Sequence, residues 1–87
     1  MENSVIVTVR YTVGQEQRER DFELPYDVPV GPLSAEFMRF LHHNGLYPLP
    51  KGHYSFNCFY CGRRRLNTEK TLRENKIYDG NILTIAP

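Results

Sequence analysis

At 87 residues the chain can build one hydrophobic core and is too short for two. Its composition, 40% hydrophobic and 13% aromatic, supplies enough large apolar side chains for that core and argues against intrinsic disorder. The 11 basic and 10 acidic side chains leave a net charge of +1, which excludes a global field toward nucleic acid or an anionic membrane, and no apolar run spans a bilayer.

From Val5 to Val13 apolar residues alternate with polar ones, as in a half-buried strand: Val5, Val7, Val9, Tyr11 and Val13 against Thr8, Arg10 and Thr12. Gly14 and the polar stretch Gln15-Glu16-Gln17 predict a turn. Arg18 to Leu24 then alternates again, with Phe22 and Leu24 opposite Asp21 and Glu23, so the two strands are expected to pair as a hairpin. Pro25 lacks an amide for the ladder and closes the second strand.

Gly31-Pro32 reads as a helix entrance, because proline in the first turn has its φ preset and lacks an amide that would go unpaired there. A helix is predicted over Pro32 to His43, with Leu33, Phe37, Phe40 and Leu41 on the buried face and Ser34, Glu36, Arg39 and His43 elsewhere on the circumference. Asn44-Gly45 supplies a helix stop, with Leu46 folding back on the last turn.

Pro48, Pro50 and Gly52 mark a loop. His53 to Tyr60 follows as a strand, with Tyr54, Phe56 and Cys58 on the core face and Ser55, Asn57 and Phe59 on the other. Arg63-Arg64-Arg65 leads to Leu66 and a polar loop. Thr71-Leu72-Arg73-Glu74 predicts a short turn, Asp79-Gly80 another, and Ile82 to Ile85 a last strand. The order strand, strand, helix, strand, strand implies an α+β fold. One helix packs across one face of a mixed four- or five-stranded sheet, with the first and last strands parallel at its centre.

These residues resemble the ubiquitin-like (β-grasp) superfamily. The similarity is most detailed over Leu66, Thr71-Leu72, Glu74-Asn75-Lys76-Ile77 and Asp79-Gly80-Asn81-Ile82-Leu83-Thr84-Ile85. Within that superfamily Asp21-Phe22-Glu23-Leu24-Pro25, Val28-Pro29-Val30, Gly52-His53-Tyr54 and Ile77 with Asp79-Gly80 resemble the YukD/EsaB-like proteins of bacterial type VII (WXG100, ESX-like) secretion. The resemblance implies a single ubiquitin-like domain over residues 1–87 and a cytoplasmic adaptor or regulator without enzymatic activity. It implies docking on a protein partner such as a membrane component of a secretion machine, as a monomer or weak dimer. In some such systems the fold is fused to a transporter, so the chain could equally be a domain of a larger protein. The end Thr84-Ile85-Ala86-Pro87 lacks the diglycine tail that conjugation requires, which disfavours a sulfur-carrier or modifier role.

Cys58 and Cys61 have the spacing of half a zinc site, which His42, His43 and His53 could complete to four ligands within one chain only if the helix end approached the third strand, a two-chain site needing a symmetric dimer, so a small zinc module stands as an alternative. The expected reading is one core thiol and one turn thiol, with no cofactor. A redox pair is disfavoured, since reactive Cys-x-x-Cys thiols sit at helix N-termini. His42-His43 suit a helix C-terminus as solvated cations. Arg63, Arg64 and Arg65 form the sequence's one concentrated charge, read first as a solvated turn, then as a surface for an acidic protein partner, and last as a site for nucleic acid or lipid phosphates. The outer face of the sheet is the expected binding site, with Ile6, Phe59 and Ala86 pointing away from the helix and Phe59 as the hot spot.

Overall fold

The computed structural model describes residues 3–13, 15–45 and 58–86, with Cys58 and Ala86 described in their backbone alone. The expected turn at Gly14, the loop at Pro48 to Gly52, the fold-back of Leu46 and the strand residues from His53 to Asn57 lie outside the described residues.

Strand β1 spans Ser4–Val13, β2 Glu16–Pro25, helix α1 Val30–His43, β3 Cys58–Cys61, β4 Arg64–Arg65 and β5 Ile82–Ala86. The five strands form one mixed sheet in the order β2-β1-β5-β3-β4. β1 and β5 are parallel neighbours, with Thr8 beside Ile82, Val9 beside Leu83 and Arg10 beside Thr84. The expected architecture stands, with Arg64 and Arg65 adding a short strand where the sequence suggested a loop.

Period-2 alternation decides the two faces of β1. Val5, Val7, Val9 and Tyr11 are buried, whereas Ile6 is exposed. The hairpin register places Leu24 beside Val5 and Phe22 beside Val7, so the apolar residues of both strands meet on the helix side. β2 runs longer than Arg18 to Leu24 because the ladder continues to Val13 beside Glu16.

Helix α1 starts two residues before the expected Pro32, capped by Pro29. The cause is tertiary. Amides at a helix start have no partner within the helix, and here Val30 N donates to the Lys70 carbonyl (2.9 Å) and Gly31 N to the Thr68 carbonyl (2.9 Å). Gly31 suits this close approach, since a Cβ there would lie 3.3 Å from the Thr68 oxygen.

The buried helix face is Val30, Leu33, Ser34, Phe37, Met38 and Leu41, at spacings of three and four. Two expectations are corrected. Ser34 faces the core because its hydroxyl is satisfied by donation to the Gly31 carbonyl (2.9 Å). Phe40 is 47% exposed at the helix flank, its ring near Phe22 (6.0 Å) and stacked beside Phe37 (6.3 Å). Asn44 ends the helix, its backbone and side-chain amides both bonding the Phe40 carbonyl, and Gly45 follows at φ +68°.

The segment between β4 and β5 is held by Asn75, a buried polar side chain. Its Oδ1 accepts from Asn67 N (2.9 Å), and its Nδ2 donates to the Asn67 (3.1 Å) and Thr71 (2.8 Å) carbonyls. That clamp seats Leu66, Leu72 and Ile77 in the core.

Candidate functional site

Among the described residues the sheet has a covered side and an open one. α1 covers the face carrying Val7, Val9, Leu83 and Phe59. The alternate residues point the other way, and register joins them into rows across the sheet. Glu19, Arg10, Thr84, Tyr60 and Arg65 form one row through all five strands. Asp21, Thr8 and Ile82 form the next, and Glu23 with Ile6 a third.

The apolar centre of this outer face is Ile6, 53% exposed, and Ile82, 42% exposed. Ile6 is fixed by the β1–β5 crossover, its amide donating to Asp79 Oδ1 (2.9 Å) and its carbonyl accepting from Gly80 N (2.9 Å). Gly80 adopts φ +87°, a conformation that glycine reaches without strain and that lets the chain enter β5 beside Ile6. Sequence reasoning found Ile6 and missed Ile82. The alternation of Leu83 and Ile85 was the signal for it, since their shared phase sends Ile82 outward.

Phe59 does not belong to this face. It is fully buried, against Phe37 (ring centroids 5.5 Å apart), and its register partner is the buried Ile85. The expected phase of this strand is reversed. Aromatics occupy both phases of the stretch from His53, so periodicity cannot choose between them, and the ladder with β5 does. Tyr60 takes the outward position beside Thr84. Ala86 is described through its backbone pairing with Cys58, and its side chain lies outside the described residues.

The three arginines diverge. Cys61 pairs with Arg64 across a two-residue turn, Gly62-Arg63, with Gly62 at φ +64°, as a tight hairpin requires at its first turn position. Arg63 projects at the tip and Arg65 joins the outer row beside Tyr60. Arg64 faces the opposite way, its Nη1 donating to the Asn75 carbonyl (2.8 Å), so it braces the loop after β4.

At the other margin of the outer face, β2 presents Glu19, Asp21 and Glu23. Arg10 pairs with Glu19 (2.6 Å). Asp21 accepts from the Thr8 hydroxyl (2.6 Å) and Glu23 from the Ser4 hydroxyl, donors that leave the negative charge in place. The face is therefore acidic along β2, apolar at its middle and basic at the β3–β4 hairpin.

Two further features lie off this face. A groove of about 360 Å³ between α1 and the end of β2 is lined by Pro25, Val28, Pro32, Leu33 and Phe40, a second apolar surface that sequence reasoning did not anticipate. Below it Arg73 reaches Asp27 with two bonds (2.8 and 3.2 Å) and stacks over the Tyr26 ring (4.4 Å). The hydrogen bond from Arg73 holds the Asp27 carboxyl below its ordinary value, with desolvation opposing it and the Arg73 charge adding to it.

Cys61 is a half-buried free thiol packed on the core. The side chain of Cys58 and all of His53 lie outside the described residues. Among the described residues no group of three His, Cys, Asp or Glu is placed to hold a metal, and no helix is long and apolar enough to cross a membrane.

Three comparisons bear on this architecture. A family model described as the WXG100 protein secretion system (Wss) protein YukD matches residues 5–85. A sequence search of the curated proteins returns no match. Among solved structures, the chain is similar to the ubiquitin-like domain of the type VII secretion system protein EccD1 of Mycobacterium tuberculosis. The TM-score is 0.64 at 20% identity, covering 95% of this chain and 99% of that one. It is similar also to the EccD5 ubiquitin-like domain of Mycobacterium xenopi, with TM-score 0.62 and 22% identity over 98% of this chain and 94% of that one. A chain of the MycP5-free ESX-5 inner membrane complex matches at TM-score 0.70 and 21% identity; 98% of this chain is covered, but it spans only 21% of that longer chain. At these identities the likeness shows a ubiquitin-like fold.

Proposed function

We propose, from the premise that this chain belongs to the YukD family of the WXG100 protein secretion system, that it is a cytoplasmic, non-enzymatic adaptor or regulator of such a machine. It acts by non-covalent binding, docking on a larger membrane component through the outer face of its sheet.

The observation that carries the reading is the match of the secretion-family model over nearly all of the described fold. Two others support it. The same fold occurs as about a fifth of a chain in the ESX-5 inner membrane complex, so a unit of this shape is compatible with such an assembly. The outer face has the make-up of a small docking surface, with Ile6 and Ile82 exposed at its centre and charged residues around them. Within it Ile6, Ile82, Arg63 and Arg65 make the contacts; Phe59 and Arg64 serve the fold. No step of the reading requires a cofactor.

The test is capture of the secretion-system membrane components from native host membranes by the immobilised chain. Wild type and Phe40→Asp, altered on the helix flank, are expected to retain them. Ile82→Asp is expected to lose them while melting at the same temperature. Equal capture by wild type and Ile82→Asp contradicts docking through this face.

A further inference from the structure

Among the described residues β2 is an edge strand, so alternate backbone groups along it face away from β1. Which ones do so follows from β1. Its even-numbered residues direct their backbone groups toward β5, where Thr8 N donates to the Asn81 carbonyl (3.0 Å) and the Ile6 carbonyl accepts from Gly80 N (2.9 Å). The odd-numbered residues therefore serve β2, and the register gives them Leu24, Phe22, Arg20 and Arg18 as partners. Tyr26 N keeps this phase by donating to the Asn3 carbonyl (2.8 Å). The amides and carbonyls of Gln17, Glu19, Asp21 and Glu23 thus point outward from the edge, until Pro25, which has no amide, closes it.

The side chains along this edge specify what it accepts. An added strand places each side chain on the same face as the β2 residue beside it. On the outer face Arg10 pairs with Glu19 (2.6 Å), whereas Asp21 and Glu23 accept from hydroxyls and keep their charge. On the helix side stand exposed Arg18, paired with Glu16 (3.0 Å), and exposed Arg20, followed by half-buried Phe22 and buried Leu24. The groove of about 360 Å³ adjoins these last two, since its Pro25 continues β2 and its Phe40 stands beside Phe22 (6.0 Å). An apolar side chain one strand spacing further out, about 4.8 Å, enters that groove. A second copy of β2 does not fit the edge, because pairing would set the carboxylates of one copy against those of the other.

We propose that the β2 edge binds an extended segment of a partner protein by antiparallel strand addition. The segment carries basic side chains opposite Asp21 and Glu23, an acidic one opposite Arg20, and apolar ones opposite Phe22 and Leu24 that fill the groove beside α1. The site uses backbone groups and an apolar groove that docking through Ile6 and Ile82 leaves unused, so both surfaces can be occupied at once.

Amide NMR of the labelled chain, titrated with the capped peptide Val-Lys-Val-Lys-Glu-Thr, tests the proposal, since this peptide presents the pattern from Leu24 to Glu19. The amides of Gln17, Glu19, Asp21 and Glu23 are expected to shift together. The peptide Val-Val-Lys-Lys-Glu-Thr has the same composition but puts one base and one valine on each face in any register, and it is expected to bind roughly tenfold more weakly. Asp21→Pro removes an outward amide without touching the β1 ladder, and is expected to lose binding while circular dichroism shows the fold retained. Phe40→Asp leaves the strand intact and places a carboxylate at the groove, and is expected to weaken binding by roughly tenfold. Ile82→Asp is expected to bind the peptide as wild type does, so this proposal and outer-face docking fail separately. Unshifted β2 amides at millimolar peptide overturn the proposal, as does equal binding of the two peptides, or binding that Asp21→Pro and Phe40→Asp both leave unchanged.

Discussion

At the scale of single residues, Phe59 separates a docking role from a structural one. An exposed aromatic on a sheet is replaceable without loss of stability, whereas a ring with no solvent exposure leaves a cavity. Phe59→Ala is expected to cost about 3–5 kcal/mol in urea unfolding, and a loss under about 1 kcal/mol would place the ring at the surface. The Asp27–Arg73 pair carries a prediction of a different kind. Because the folded carboxyl is held below its ordinary value of 3.8, the pair's contribution is fully present above the unfolded value and is lost as the pH falls through the folded one. Carboxyl NMR is expected to show Asp27 titrating below 3.8 in the wild type and moving upward in Arg73→Ala. A midpoint unmoved by that substitution would contradict the pairing. The sequence carried the orientation of Ile6, since β1 alternates without conflict over its whole length. It could not orient Phe59, whose strand has apolar residues in both phases, nor separate Arg64 from its neighbours, since the carbonyl it bonds belongs to a residue brought near by folding.

At the scale of elements, local pattern succeeded where each element's own residues decide its limits. The β1–β2 hairpin, the Asn44-Gly45 stop and the last strand follow from alternation and turn chemistry. The helix start did not, because two carbonyls from residues 68–70 receive its first amides, and no local signal near Pro32 reports them. Strand β4 was missed for a related reason, being only Arg64–Arg65 and existing through a hairpin turn at Gly62. The segment before β5 depends on Asn75, which replaces regular structure with side-chain bonds to backbone. Asn75→Ala removes those three bonds: the Asn67 and Thr71 carbonyls keep the Lys70 and Asn75 amides, but the Asn67 amide loses the Oδ1 that accepts from it. It is expected to cost about 2–3 kcal/mol by denaturant unfolding, and a cost under about 0.5 kcal/mol would mean that water replaces the clamp.

At the scale of the molecule, one helix over a five-stranded sheet leaves one large face uncovered among the described residues, and function is read from what that face carries. Alternation in β1 was enough to place Ile6 there, while Ile82 and the division into acidic and basic margins required the strand order, which a pattern along the chain does not contain. The most direct test uses the chain's four isoleucines, Ile6, Ile77, Ile82 and Ile85, as methyl NMR probes during titration with the solubilised secretion-system membrane complex. Ile77 and Ile85 are buried and serve as internal controls, whereas Ile6 and Ile82 are exposed on the outer face. Docking through the outer face is expected to shift or broaden the Ile6 and Ile82 methyl signals selectively as the complex is added. Saturating complex that leaves both signals unchanged would contradict it.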